Sequence, residues 1–264
     1  SYYNAYGFVL ASMLFLASTI LFAGNDKGRV KFLFARGGLI AAIVLALIGW
    51  WFIRNAILYH GDFLGMEARN LCVAATCTPE FHPALRQTYQ NQGIGVFTMI
   101  FGTDYFTLLV RSFVAMFGPM NLPTHYYIYE TYYRIFILGL ISCMLPIGHS
   151  FYLTWQEQKR RWFFNGCMLL ACIIPIFLCI YYSYTWDFQP QGRYLMPMLP
   201  AFMFFVTLGI RKLAFLLQEL ADRLKLRTLA EKLPAILTAC IIFFTAAALL
   251  YSVLRIVVPH YLAG

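Results

Sequence analysis

The chain has 264 residues, of which 61% are hydrophobic and only 12% charged, with a mean hydropathy of +0.67. Soluble domains are about 45–50% apolar and about 25% charged, so this composition excludes a soluble domain with a large core and predicts an all-α polytopic membrane protein. The net charge of +9 has no nucleic-acid motif beside it; it is the lysine and arginine excess of cytoplasmic loops, and no nucleic-acid partner is expected.

Apolar sequence starts almost at once after Ser1. No basic leader segment or small-residue cleavage site precedes it, which argues against a signal peptide. The chain reads as one membrane domain over 1–264, part of a longer polypeptide. A run of about 17–25 apolar residues can cross a bilayer, and the first two such runs cover 5–23 and 38–58. The linker between them carries Lys27, Arg29, Lys31 and Arg36.

The second run leaves the membrane through WWFIRNAILYHGDFLG, Trp50 to Gly65. Trp50 and Arg54 share a helix face, Asn55 adjoins them, and Gly61 and Gly65 mark a turn around Asp62. A carboxylate at the mouth of a bilayer can act as a general base, which makes Asp62 a reserve catalytic candidate beside the simpler reading of a helix exit. Residues 59–133 then form one large outer loop, a length that usually carries function. Cys72 and Cys77 lie in it and could pair as a disulfide outside the cytoplasm; Cys143, Cys167, Cys172, Cys179 and Cys240 read as small apolar packing residues.

Within this loop, 93–120 is apolar enough to span, but a crossing there would reverse every later loop. Asp104 and Arg111 are seven apart and share one helical face. An amphipathic or re-entrant outer helix is therefore expected.

Further spans are predicted at 134–154, 162–183, 194–212 and 234–257, for about six in all. Lys159, Arg160 and Arg161 fill the turn at 155–161, between Trp155 and Trp162, and residues 211–233 read as a cytoplasmic amphipathic linker. With the three basic linkers inside, the inner side holds 13 Lys and Arg against 5 Asp and Glu, and the outer side 7 against 6. That asymmetry is the one the positive-inside rule describes.

The segment Trp186 to Pro200, WDFQPQGRYLMPMLP, places Asp187, Gln189, Gln191, Arg193 and Tyr194 where a helix meets lipid. Ionisable residues at such a depth are costly without a partner and point to function. Pro190 makes Gln189 extended, Gly192 permits a sharp turn, and Pro197 and Pro200 predict a kink. All seven outer cationic residues are arginines, and Arg54, Arg134, Arg193 and Arg255 fall near helix ends. The guanidinium fork pairs with phosphate through two parallel hydrogen bonds, although surface arginines more often snorkel or pair with nearby carboxylates. Asp187 is the second reserve catalytic candidate. The histidines and cysteines show no metal-binding spacing, so no metal ligand is assigned and the need for a divalent ion is left open.

Two passages together resemble a known family. GWWFIRNAILYHGDFLG (49–65) and QGRYLMPMLP (191–200) are similar to the W-x-x-RN-x-x-x-YGD-x-x-G and QGRY-x-x-P-x-x-P passages of the GT-C-like superfamily of bacterial polytopic glycosyltransferases. RSFVAMFGPMNLP (111–123) is similar to an SF-x-x-x-FG-x-x-N element between them, and Phe63 stands where the family passage has proline. The resemblance implies a multi-pass enzyme of the bacterial inner membrane whose site faces the periplasmic or extracellular side. Its donor would be a polyprenyl-phosphate-linked sugar and its acceptor a glycan or lipid of the cell envelope. Arg54, Asn55, Gln191, Arg193 and Tyr194 would hold lipid phosphate or substrate, and Gln189 would join them by position. The catalytic carboxylate would lie upstream, in a missing N-terminal half or on a partner subunit. The alternative reading is a non-catalytic transporter or lipid-carrier binding subunit.

Overall fold

The computed structural model describes residues 6–21, 28–78, 87–145 and 155–262. It is all-α apart from one tiny hairpin. The helices are α1 (Tyr6–Leu21), α2 (Arg29–Leu58), α3 (Met66–Thr76), α4 (Val96–Phe101), α5 (Tyr105–Ala115), α6 (Tyr126–Cys143), α7 (Trp155–Thr185), α8 (Leu199–Arg223), α9 (Arg227–Ser252) and α10 (Val258–Leu262). A 3-10 turn, Gly192–Met198, leads into α8, and a π turn, Val253–Val257, joins α9 to α10. The strands β1 (Met116–Phe117) and β2 (Leu122–Pro123) pair antiparallel.

Among the described residues, four helical segments are long and apolar enough to cross a membrane: Val30–Leu58, Glu157–Thr185, Gly192–Arg223 and Ala230–Leu262. At about 1.5 Å per residue, the 31 residues of α7 exceed a hydrocarbon core of about 30 Å, so its basic first turns extend beyond the lipid. The described part of α1 has 16 residues. The 18 residues of α6 carry Glu130, Arg134 and a run of tyrosines, which lowers its hydropathy below that of the other four. The span predicted to begin at 134 starts eight residues earlier, so the tyrosine run forms the first two turns of the helix, and predicted positions 146–154 lie outside the described residues.

The segment at 93–120 is not one helix. The chain breaks at Gly102 to Asp104, leaving α4 with 6 residues and α5 with 11. Eleven residues rise only about 16 Å, too short for a crossing. Tyr105 and Leu109 on α5 are buried with Met99, Cys179, Leu195 and Met198 in the main core cluster. Residues 211–233 are the end of α8, a short turn in which Lys225 has φ +60°, and the start of α9. Two long helices therefore absorb that linker.

Helices α6 and α8 form the closest crossing. A Cβ on Gly139 would sit 2.8 Å from Val206 Cγ1, and one on Gly209 would overlap the Gly139 carbonyl. Small residues that let backbones touch are the usual means of helix packing in lipid, where apolar burial gives no drive. Nearby, Lys212 Nζ donates to the carbonyls of Cys143 and Leu145, both at 2.6 Å. A cation there satisfies carbonyls that the helix end leaves unpaired and complements its dipole.

Candidate functional site

The three passages singled out in the sequence form two clusters, and two of the passages meet. The first cluster lies at the end of α2. Asn55 is 2% exposed; its Nδ2 donates to the Phe63 carbonyl at 3.5 Å, and Arg54 donates to its Oδ1 at 3.5 Å. Asn55 also lies against Gly65, whose φ of +66° favours glycine. Its role here is to fasten the turn to the helix.

Asp62 has an equally clear local role. Its carboxylate accepts from the N–H groups of Met66 (3.1 Å), Glu67 (2.7 Å) and Ala68 (3.0 Å), the first turn of α3. The Ala68 bond, joined by those from Met66, Glu67 and Gly65, holds the carboxyl below its ordinary value against an opposing desolvation effect. A carboxylate so committed is a weak base, and its proton affinity suits capping more than catalysis.

The second cluster joins α5 to the 3-10 turn. Ser112 Oγ accepts from the Gly192 N–H at 2.6 Å and lies 3.2 Å from the Pro190 carbonyl and 3.1 Å from its own helix carbonyl, Leu109. Its single proton serves one carbonyl at a time. The contact is so close that a Cβ on Gly192 would fall within 3.0 Å of the backbone of Ser112 and Phe113. The RSF and QGRY passages, some 80 residues apart, are thus pressed backbone to backbone.

From this junction a polar chain runs outward. Gln189 Nε2 donates to Asp187 Oδ2, Tyr194 OH donates to Gln189 Oε1, and Arg193 lies over the Tyr194 ring at 5.2 Å, with Nη2 3.4 Å from its hydroxyl. Ser183 Oγ donates to the Gln189 carbonyl at 3.3 Å. Gln191 is the N-cap residue of the 3-10 turn in extended conformation. Phe188 packs against Tyr89 and Tyr105 and seats the loop on α5. Asp187, Gln189, Arg193 and Tyr194 therefore act as a connected unit.

The arginines divide as well. Arg134 is paired with Glu130 at 2.9 Å, as a snorkelling surface residue would be. Arg255 is exposed on the π turn. Arg193 and Arg111 are exposed, and among the described residues neither has a carboxylate within ion-pair distance. Arg111 precedes Ser112 and Arg193 follows Gly192, so both guanidinium groups stem from residues flanking the same contact. Arg111 also approaches the ring of Tyr129 at 6.0 Å.

Ser112 stood in the sequence only as part of the RSF passage, and Tyr129 carried no site role. Tyr129 is buried; its hydroxyl donates to the Ala115 carbonyl and accepts from the Thr124 N–H at 3.1 Å, and Thr124 Oγ1 lies 2.8 Å from Ser252 Oγ. These bonds bind the end of α5, the start of α6 and the end of α9. An aromatic run with a threonine before it hinted at such a tie, but its partners are far away in sequence.

Cys72 and Cys77 are unpaired thiols. Cys72 lies within α3, and Cys77 is the extended residue that ends it. Among the described residues no three of His, Cys, Asp and Glu gather as a metal site.

Comparison with protein-family models, with curated proteins and with solved structures gave no match. The fold itself defines the class: a membrane-associated chain, all-α apart from one hairpin among the described residues, with four helices there long and apolar enough to cross a bilayer.

Proposed function

We propose that the chain is the C-terminal membrane part of a GT-C-type glycosyltransferase with six spans, working at the outer face of a bacterial inner membrane. The donor is a polyprenyl-phosphate-linked sugar, and the acceptor a glycan or lipid hydroxyl of the cell envelope. The observation that carries the reading is the junction of Ser112 with Gly192. It joins two of the three family-like passages and leaves Arg193 exposed with no carboxylate partner among the described residues.

In the transfer, the acceptor oxygen bonds to the anomeric carbon as the carbon–oxygen bond to phosphate breaks. The bonding pair leaves on the phosphate oxygen, and the acceptor proton passes to a carboxylate. Arg193, with Arg111 from the other side of the Ser112–Gly192 contact, stabilises the departing phosphate. Gln191 and the Gln189–Tyr194 pair orient polar groups of the donor. Asp62 serves the first turn of α3, and Asp187 is tied to Gln189, so the base is assigned to a carboxylate upstream or on a partner subunit. Arg54 is a phosphate partner only if the end of α2 closes on the QGRY turn.

The test uses the full-length protein in liposomes with undecaprenyl phosphate. Hydrogen bonds to charged groups contribute about 1.5–3 kcal/mol, so Arg193→Ala should weaken binding roughly 10-fold or more, with Arg193→Lys intermediate. Unchanged binding in Arg193→Ala refutes the phosphate role. Binding that depends on Arg193 without any sugar transfer by the full-length protein supports the lipid-carrier subunit instead.

A further inference from the structure

At the opposite end of α7 from the QGRY turn lies a cavity of about 1040 Å³, bounded by α1 and α7. Its walls are Leu14, Phe163, Cys167, Leu169 and Leu170; Gln158, Lys159 and Trp162 stand at its mouth. We propose that this groove holds one acyl chain of an anionic phospholipid, with Lys159, Arg160 and Arg161 gathering its phosphate head. The inference rests on the membrane-spanning character of α7 and is independent of the glycosyltransferase reading.

Three observations meet here. First, the groove is large and apolar in a chain with helices able to cross a bilayer, so the medium that would fill it is lipid, not water. Second, Lys159 and Leu170 are 11 residues apart in one helix, about 16 Å along its axis. One leaflet of a hydrocarbon core is about 15 Å deep, so a head at the lysine places its chain along the whole groove. Third, the mouth is basic. Lys159 lines the groove, Arg160 and Arg161, both exposed, follow it in the chain, and Trp162, 78% exposed, is an interfacial anchor at that level. Basic pockets between membrane helices on this side recognise phosphate-bearing heads.

Gly166 supplies a direct test, because it lines the groove and a Cβ there meets nothing within 4 Å. A larger side chain at 166 can enter the groove without displacing the backbone. The full-length protein, delipidated in detergent, is titrated with phosphatidylglycerol and, separately, phosphatidylcholine, and bound lipid is counted by native mass spectrometry. Phosphatidylglycerol should be retained at least fivefold better. Lys159→Gln/Arg160→Gln/Arg161→Gln should erase that preference, at about fivefold per cation near an anionic surface. Gly166→Phe should lose the lipid with the basic residues intact and the thermal unfolding midpoint unchanged. Equal retention of both lipids, or a triple variant with full preference, overturns the head-group assignment. Retention by Gly166→Phe overturns the groove. Conversion from dimer to monomer by Gly166→Phe without lipid loss would show a second copy there and also overturn the proposal.

Discussion

Gly192→Ala is the smallest change that tests how α5 and the QGRY turn are joined. The added methyl would lie within 3.0 Å of the backbone nitrogen and Cα of Phe113 and the carbonyl carbon of Ser112. None of these atoms can swing aside as a side-chain tip would, so the turn must lift from α5. Overpacking of this kind costs about 1–3 kcal/mol. Lifting also stretches the 2.6 Å bond from the Gly192 N–H to Ser112 Oγ, and a buried N–H without a partner costs about 1–3 kcal/mol. Together the loss is about 2–6 kcal/mol, or a fall on the order of 4–24 °C in the unfolding midpoint.

Ser112→Ala should cost about 1–3 kcal/mol through the same unpaired N–H. Because both changes act on one contact, the double variant should lose less than the sum of the two. The assay is thermal unfolding in detergent, read by thiol labelling of the buried Cys167 and Cys179. Gly166→Ala is the control: its Cβ meets nothing within 4 Å, and replacing a mid-helix glycine should raise stability by up to about 1 kcal/mol. A Gly192→Ala protein that unfolds at the wild-type temperature, or strict additivity with Ser112→Ala, would refute the backbone-contact reasoning.

Three further outcomes are expected. Asp62→Ala should release the first turn of α3, seen as faster amide exchange at Met66, Glu67 and Ala68. Because the folded carboxyl lies below its ordinary value of 3.8, the wild-type cap should hold at neutral pH and be lost only as pH falls beneath that value; protection that disappears near pH 6 would contradict this. Lys212→Met should strip the Cys143 and Leu145 carbonyls of their cation and lower stability by about 1–3 kcal/mol, with Lys212→Arg partly restoring it in the same thermal assay. Cysteines introduced at position 104 and at 155–161, the first turns of α7, should label from opposite sides of the membrane, and labelling of 155–161 from outside would reverse the proposed orientation.

The helices that composition predicts most strongly, α2, α7 and α9, are those whose apolar runs exceed bilayer thickness and need no partner to declare themselves. Helix α6 was misplaced because tyrosines serve equally well at an interface and in a helix packed on protein, as Tyr129 is. Helix α3 was hidden within a presumed loop, although an acidic residue just ahead of its first turn is an ordinary start signal. Asp62 reads as a reserve catalytic candidate in the sequence, where its three amide donors are not visible. Lys212 was counted as a cytoplasmic charge; its actual partners are two carbonyls nearly 70 residues away. The residues of the QGRY segment were legible as a polar anomaly and Ser112 as part of the RSF passage, but their contact was not, since nothing local tells that a serine meets a distant glycine.

Helix α8 and its leading turn are fixed at two levels by the same device. Gly192 touches the α5 backbone, and Gly209 touches the α6 backbone. Across a 3-10 turn and then α-helix, these two points are roughly 30 Å apart along the chain axis. Contacts between backbones leave no rotamer freedom to absorb a shift, so the direction in which Arg193 leaves the turn is set by α5 and α6 together. Lys212 and the Thr124–Ser252 bond then hold α6 to α8 near one end and to α9 near the other. The phosphate role proposed for Arg193 needs this kind of support, because a binding group held loosely loses affinity to ordering costs. The glycines therefore belong to the argument about the site as much as to the argument about packing. A bulky residue at position 209 should displace Arg193 without touching it, and its signature would be weakened lipid-phosphate binding in a protein whose Arg193 is intact.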